Sequence, residues 1–227
     1  MRPFPAQLKA LLVDFDGTLI DSLSALWNCY QTFMHRHGQM ATQEEFMMLA
    51  GPSLDEIIIY LKSKYNLSAD YVVLYEEYRE LVVESYAKDG VLFPEALEVL
   101  QSFKNLGVKL ALVTSASSGL IEPFIRRTNL INVFDAIVTH IDGEETKPSP
   151  EIYKRAMKYL DITPENAIAV EDSKNGVLSA HGANLYVVQF AGTSKGSSNV
   201  NNQRKLENAS HTVYSWRELG KFCDSNF

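Results

Sequence analysis

Four short stretches of this 227-residue chain gather side chains capable of chemistry. Asp14-Phe15-Asp16-Gly17-Thr18 sets two carboxylates two residues apart, then a glycine and a hydroxyl. Thr114-Ser115 supplies adjacent hydroxyls, and Glu171-Asp172-Ser173 supplies two more acids. Lys147-Pro148 supplies a lysine that the proline keeps out of helix. Carboxylates brought together repel one another unless a cation shares the site. Oxygen donors without histidine or cysteine partners favour Mg²⁺. A cation, a lysine, hydroxyls and the N–H groups of a tight turn together suit a phosphate. Phosphoryl transfer needs positioning, charge neutralisation and a nucleophile, and a carboxylate is competent in that last role. A second carboxylate two residues on can protonate the leaving oxygen and then activate water. Asp14 and Asp16 fit those two roles.

Taken singly, each stretch has an ordinary reading. Asp-x-Asp-Gly occurs in calcium loops and turns, Thr114 could be a strand-end hydroxyl, and Lys147 a solvated charge. Glu171-Asp172 could cap a helix. An EF-hand is excluded, because the third acidic position and the closing glutamate are missing and a strand-like run comes first. What favours convergence is the sequence in front of three of the stretches. Lys9–Val13, Lys109–Val113 and Ala167–Val170 are apolar runs without alternation, as expected of strands buried on both faces of a parallel sheet. Helical periodicity follows, as over Leu120 to Asn129 and Lys174 to Gly182, and further strands are expected near Phe134–Val138, Leu185–Gln189 and His211–Val213. The pattern predicts an α/β core built on a doubly wound, Rossmann-like parallel sheet. In such sheets ligands lie beyond the carboxyl ends of the strands, where the acidic and hydroxyl stretches fall, and Lys147, just before a helix, can bring a positive charge to the same edge.

The stretch from 21 to 88 breaks this rhythm. It holds helix-like segments (Leu23 to Arg36, Gln43 to Leu49, Leu54 to Lys64, Ala69 to Ala87) and no convincing strand. A block of this size is too long for a loop, and we read it as an all-helical cap inserted into a core of residues 1–20 and 89–227. Gly51-Pro52-Ser53 has the form of a stop followed by an N-cap, and Ser53 is the cap residue best placed to face a ligand. Tyr60, Tyr65, Tyr71, Tyr75 and Tyr78 have helical spacing and read as packing. His35 and His37 fall near a helix end, on its exposed side; His140 and His181 lack partners at metal spacing and read as structural, and Cys29 as core. Residues 191–210 are polar and rich in Gly, Ser and Asn, as in a surface loop.

Composition narrows the class. With 21 Lys plus Arg against 28 Asp plus Glu, the net charge is −7, so the chain lacks the basic footprint of a nucleic-acid binder. No apolar run approaches the roughly 18 residues of a membrane span, and the N-terminus lacks the pattern of a signal peptide. Two cysteines make neither a disulfide framework nor a zinc site. The expectation is a cytoplasmic protein, monomeric by default.

The ordered set Asp14-Phe15-Asp16-Gly17-Thr18-Leu19, Thr114, Lys147-Pro148 and Glu171-Asp172-Ser173 resembles the four motifs of the haloacid dehalogenase superfamily of phosphohydrolases. The helical block sits where that family inserts its C1-type cap. The resemblance implies a Mg²⁺-dependent phosphatase acting on a small phosphorylated metabolite. It makes Asp14 the nucleophile that becomes aspartyl-phosphate and Asp16 the acid/base, whose backbone carbonyl also ligates the metal. Asp172 is a further Mg²⁺ ligand, Thr114 and the Ser115 N–H hold phosphoryl oxygens, and Lys147 bridges phosphate and nucleophile. Glu171 ligates directly or stands behind the ligands.

Asp16 argues against a dehalogenase, which lacks an acid at that position. A β-phosphoglucomutase-like sugar-phosphate mutase is the close alternative. The arginine that such mutases carry after a Gly-x-Ser cap segment is replaced by Leu54, and the Gly51-Pro52 segment is more similar to phosphoglycolate-type phosphatases. A phosphonate hydrolase using a cap lysine, Lys62 or Lys64, ranks third. From another class, a receiver-like or phosphometabolite-binding regulator shares the acid, hydroxyl and lysine set. It would be shorter and uncapped, with its phosphorylated aspartate on a middle strand.

Overall fold

A computed structural model describes residues 2–49, 52–141, 143–192 and 205–225. Gly51 and most of the polar stretch 191–210 lie outside the described residues. Among those described, six strands form one sheet: β1 (Ala10–Val13), β2 (Lys109–Ser117), β3 (Ala136–His140), β4 (Ala167–Glu171), β5 (Tyr186–Phe190) and β6 (His211–Val213). Their order is β3-β2-β1-β4-β5-β6, and every pairing is parallel. The chain therefore winds outward from β1 in both directions, which is the doubly wound arrangement expected from the apolar runs.

The alternation of side chains along a strand divides the core in two. Ala10 and Leu12 of β1, with Ala111, Val113, Ala167 and Ala169, face one side and pack on α7 (Glu151–Leu160) and α8 (Lys174–Gly182). The small alanines let those helices lie close to the sheet. Leu11 and Val13, with Leu110, Leu112, Ile168 and Val170, face the other side. That side is covered by α5 (Ala96–Asn105), α6 (Ser118–Arg127) and α9 (Trp216–Asp224). Both faces of the central strands are buried, so periodicity in those runs has nothing polar to report.

Four helices form the cap between β1 and α5: α1 (Leu23–Arg36), α2 (Gln43–Leu49), α3 (Leu54–Tyr65) and α4 (Tyr71–Asp89). Phe33, Ile58, Leu61, Leu74 and Val82 join the same apolar cluster as the α5–α6 face of the sheet. Cap and core thus share one continuous interior. Ser53 starts α3 with a capping box. Its Oγ accepts from the Glu56 N–H at 3.3 Å, and the Glu56 carboxylate accepts from the Ser53 N–H at 2.8 Å. The Glu56 carboxylate also accepts from Thr146 Oγ1 at 2.9 Å, tying the first turn of α3 to the core loop that carries Lys147. No helix among the described residues is long and apolar enough to cross a membrane.

Candidate active site

The register of the central strands assembles the site. Val13 is level with Leu112 on β2 and with Val170 on β4, so Asp14 emerges beside Val113 and Glu171. The Asp14 N–H donates to the Val170 carbonyl at 3.0 Å, which extends the ladder by one residue and fixes the carboxylate at the sheet's edge. Lys147 arrives from the loop before α7. Its Nζ lies 2.5 Å from Asp14 Oδ1, 2.6 Å from Glu171 Oε1 and 3.1 Å from the Val113 carbonyl. Tyr153 of α7 donates to Glu171 Oε1 at 2.7 Å. Lys147 is only 4% exposed, so the solvated-charge reading of this lysine is wrong and the convergent one holds.

Two glycines make room for the acids. Gly17 has φ +77°, and a Cβ there would sit 2.2 Å from Asp172 Oδ2. A Cβ on Gly176, in the first turn of α8, would sit 1.9 Å from Glu171 Oε2. Any larger residue at either position displaces a carboxylate. The Gly17 N–H is not free for a ligand, as a tight turn suggests in isolation: it donates to the Ile20 carbonyl at 3.0 Å. The buried indole of Trp216 donates to the Thr18 carbonyl at 3.0 Å and so braces this turn from α9.

Asp16 points away from Lys147, toward the cap. Tyr86 of α4 donates its hydroxyl to the Asp16 carboxylate, 2.8 Å from Oδ1 and 2.9 Å from Oδ2. Sequence reasoning missed Tyr86. The available signal is spacing: Tyr78, Val82 and Tyr86 stand at i, i+4 and i+8, one face of a helix, and all three line the cavity above Asp16. Tyr78, read from sequence as packing alone, is thus both core and cavity wall.

Burial raises both aspartates, and their partners differ. Burial pushes Asp14 up to about 8 and Glu171 adds to the effect, with Lys147 opposing both. Burial also raises Asp16, against the hydroxyl of Tyr86. Asp172 is raised well above the carboxylate range by burial and by its neighbours Asp14 and Glu171. Lys147 is held above its ordinary value, because the attraction of Asp14 and Glu171 outweighs its burial. One lysine does not balance this many acids. Asp14, Glu171 and Asp172 each place an oxygen within 4.8 Å of the others, a donor set of hard oxygens suited to a divalent cation. The side chain of Asp16 is not part of that set.

The cavity has a volume of about 130 Å³. Asp14, Asp16, Thr114, Ser115, Lys147 and Asp172 all line it, and Glu171 stands behind them, bonded to Lys147. Ser115 Oγ is buried without a protein partner, and Thr114 Oγ1 accepts from the Ala116 N–H at 3.0 Å. Ser53 is a correction: it spends its side chain on the α3 cap, and its neighbours Pro52 and Leu54 line the cavity instead. Neither cap lysine reaches the site. Lys62 donates to the carbonyls of Leu67 and Ala69, and Lys64 pairs with Glu45, so a cap-lysine mechanism has no lysine to use.

A capped, doubly wound sheet with a lysine-paired aspartate at the end of its first strand points to a class of hydrolases. Residues 11–190 match the haloacid dehalogenase-like hydrolase family, and the chain belongs to that family. The expectation of a phosphoester-hydrolysing enzyme of this family holds. Among similar proteins, the pyrophosphatase PpaX of Bacillus mycoides (strain KBAB4) is 26% identical over 193 residues, covering 84% of this chain and 86% of PpaX. The crystal structure of β-phosphoglucomutase from Clostridium difficile superposes with a TM-score of 0.80 at 21% identity, covering 97% of each chain. A phosphonoacetaldehyde hydrolase-like protein from Oleispira antarctica superposes with a TM-score of 0.84 at 18% identity, covering 100% of this chain and 95% of the other. At such identities the two structures speak for the fold.

Proposed function

We propose that the protein is a Mg²⁺-dependent phosphatase that hydrolyses a small phosphate monoester through an aspartyl-phosphate on Asp14, acting as a monomer. The observation that carries this reading is the division of labour between the two aspartates. Asp14 sits against Lys147, while Asp16, at the same cavity, is half-buried and held by Tyr86. Lys147 opposes the upward push of burial on Asp14 and favours the charged form that attacks, whereas burial raises Asp16, whose bonded partner is the Tyr86 hydroxyl, so that it can carry the proton for the leaving oxygen.

Asp14 attacks phosphorus in line, and the bond from phosphorus to the leaving oxygen breaks as Asp16 transfers its proton to that oxygen. Asp16 then takes a proton from water, which attacks the same phosphorus and releases Asp14. Lys147 bridges Asp14 and the phosphoryl group, and Thr114 with Ser115 holds the non-bridging oxygens. Asp14, Asp172 and the main-chain carbonyl of Asp16 are the proposed Mg²⁺ ligands, and the ion supplies charge neutralisation for the transferring group. Glu171 anchors Lys147 from behind, in line with its bonds to Lys147 and Tyr153. Residues 21–88 act as the cap unit that covers the substrate and excludes bulk water.

A mutase is disfavoured because Leu54, which faces the cavity, offers no charge to a second phosphate. Phosphate release from a panel of monoesters, with Mg²⁺ or with excess chelator, tests the proposal. Release that needs Mg²⁺ and vanishes in Asp14→Asn, with an unchanged circular dichroism spectrum, is the expected result. Wild-type turnover by Asp14→Asn would overturn the nucleophile assignment.

A further inference from the structure

The floor and the roof of the cavity differ in chemistry. The floor holds the carboxylates, the hydroxyls and Lys147. The roof is built from cap side chains that include Leu23, Leu26, Phe46, Leu54, Ile57 and Val82. Among the described residues that line the cavity, no cap side chain is charged. Tyr78 and Tyr86 bring the polar side-chain atoms of the roof, and Tyr86 spends its hydroxyl on Asp16. Lys147 is the one cation of the described lining, and it is committed to Asp14 and Glu171. The N-terminus of α3 points at the roof through Pro52 and Leu54, yet Asp55 and Glu56 already offset its charge, and Ser53 Oγ takes the Glu56 N–H.

We infer that the alcohol half of the substrate is uncharged and mainly apolar, an alkyl or aryl group rather than one bearing a carboxylate or a second phosphate. The inference rests on the phosphatase reading and assigns specificity to the cap. An anion on the leaving group would be buried against leucines and a phenylalanine, with no free cation in the described lining, which is strongly unfavourable. An apolar leaving group gains from burial instead, by about fourfold in affinity for each methylene removed from water. Leu54 is a specificity-determining residue in this scheme, being a cap side chain of the lining at the first position of α3.

The test compares kcat/KM for phosphate release from methyl, ethyl, butyl and hexyl phosphate in the presence of Mg²⁺. It adds isobutyl phosphate against 2-phosphoglycolate, which match in number of non-hydrogen atoms, and butyl phosphate against butane-1,4-diol bisphosphate. The expected result is a rise of about fourfold per methylene until the roof is filled, with each apolar ester at least tenfold better than its charged counterpart. Leu54→Arg is expected to narrow or reverse the isobutyl-to-phosphoglycolate preference by tenfold or more. If that variant does not fold, the wild-type series decides alone. An active enzyme with a flat alkyl series, or one preferring the charged esters, overturns this inference and leaves the phosphatase standing. Release from no ester of either kind overturns both.

Discussion

Two groups of buried acid in this protein have opposite character. Glu45, on α2 in the cap, is 3% exposed and meets three donors: Lys64 at 2.7 Å, Tyr65 at 2.8 Å and the hydroxyl of Tyr30. Burial alone would raise it, but these partners together hold it below its ordinary value. At the carboxyl end of the sheet, Asp14 and Glu171 share Lys147 with Asp172 beside them, and Asp14 and Asp172 are driven upward. A carboxylate whose charge is met by its neighbours is architecture. A cluster with more negative charge than its protein partners offset can hold a cation from outside. Burial does not separate the two; the balance of charge does.

The comparison fails most visibly if Asp14 is dispensable. Asp14→Asn should lower kcat by about 10⁴-fold or more without loss of thermal stability, since it relieves repulsion. A variant that stays active, or one that melts well below wild type, would place Asp14 with Glu45 as a structural acid.

Metal response sharpens the same contrast. Asp14 in the folded protein is raised to about 8, against roughly 3.9 in an unfolded chain. Between those values the folded state keeps a proton that the unfolded state has released. The stability this group contributes is therefore fully present below about pH 4 and is lost as pH rises through about 8. Metal-free protein should lose stability across that range. A fixed Mg²⁺ concentration, roughly 100 times the Kd at pH 6.5, should return ~2.7 kcal/mol there, about 5–10 °C in Tm, and more at pH 8.5, where the Kd is smaller. Differential scanning calorimetry with and without Mg²⁺ reads this directly. An identical Mg²⁺ shift at both pH values would argue that the cluster is already balanced.

Glu45→Ala is the converse test. It leaves two tyrosine hydroxyls and an ammonium without their acceptor, and should cost roughly 2 kcal/mol in urea denaturation. That lies below the loss for a fully buried pair because Lys64 is 44% exposed. At temperatures where the variant is folded, its dependence on Mg²⁺ should match wild type. The smallest effect is expected from Tyr86→Phe. Removing a hydrogen bond to the charged form of Asp16 should lower kcat/KM by about tenfold and move the limb of the pH–rate profile that belongs to Asp16 upward. A tenfold loss with an unmoved profile would make Tyr86 a packing residue.

Much of this was legible in one dimension. The strands over Ala10–Val13 and Ala167–Glu171 follow from uninterrupted apolar runs. Helices α1, α2 and α8 begin and end at the residues that periodicity indicates, because their apolar faces and caps are local properties. The third and fourth cap helices differ from the reading only at their ends: α4 starts at Tyr71 and runs to Asp89, since Asp70 takes the N-cap position. Much of the candidate site is readable because Asp14, Thr114 and Asp172 follow apolar runs, and parallel sheets bring the ends of such runs to one edge, whereas Lys147 comes from the loop before α7.

What sequence alone determined is therefore the class of chemistry: the carboxylate pair, its hydroxyl, lysine and acidic partners, and the sheet that must gather them. What only the tertiary structure decided is which neighbours each acid has. Glu45 and Asp14 are both acids in apolar surroundings, and no local pattern distinguishes them. Lys64 stands 19 residues from Glu45 and Lys147 stands 133 residues from Asp14, so both pairings exist only after folding. Tyr86 reaches Asp16 across 70 residues, and Gly176 is required by a carboxylate that approaches it in space. Electrostatic energy depends on distance through the folded interior, and separation along the chain does not determine that distance.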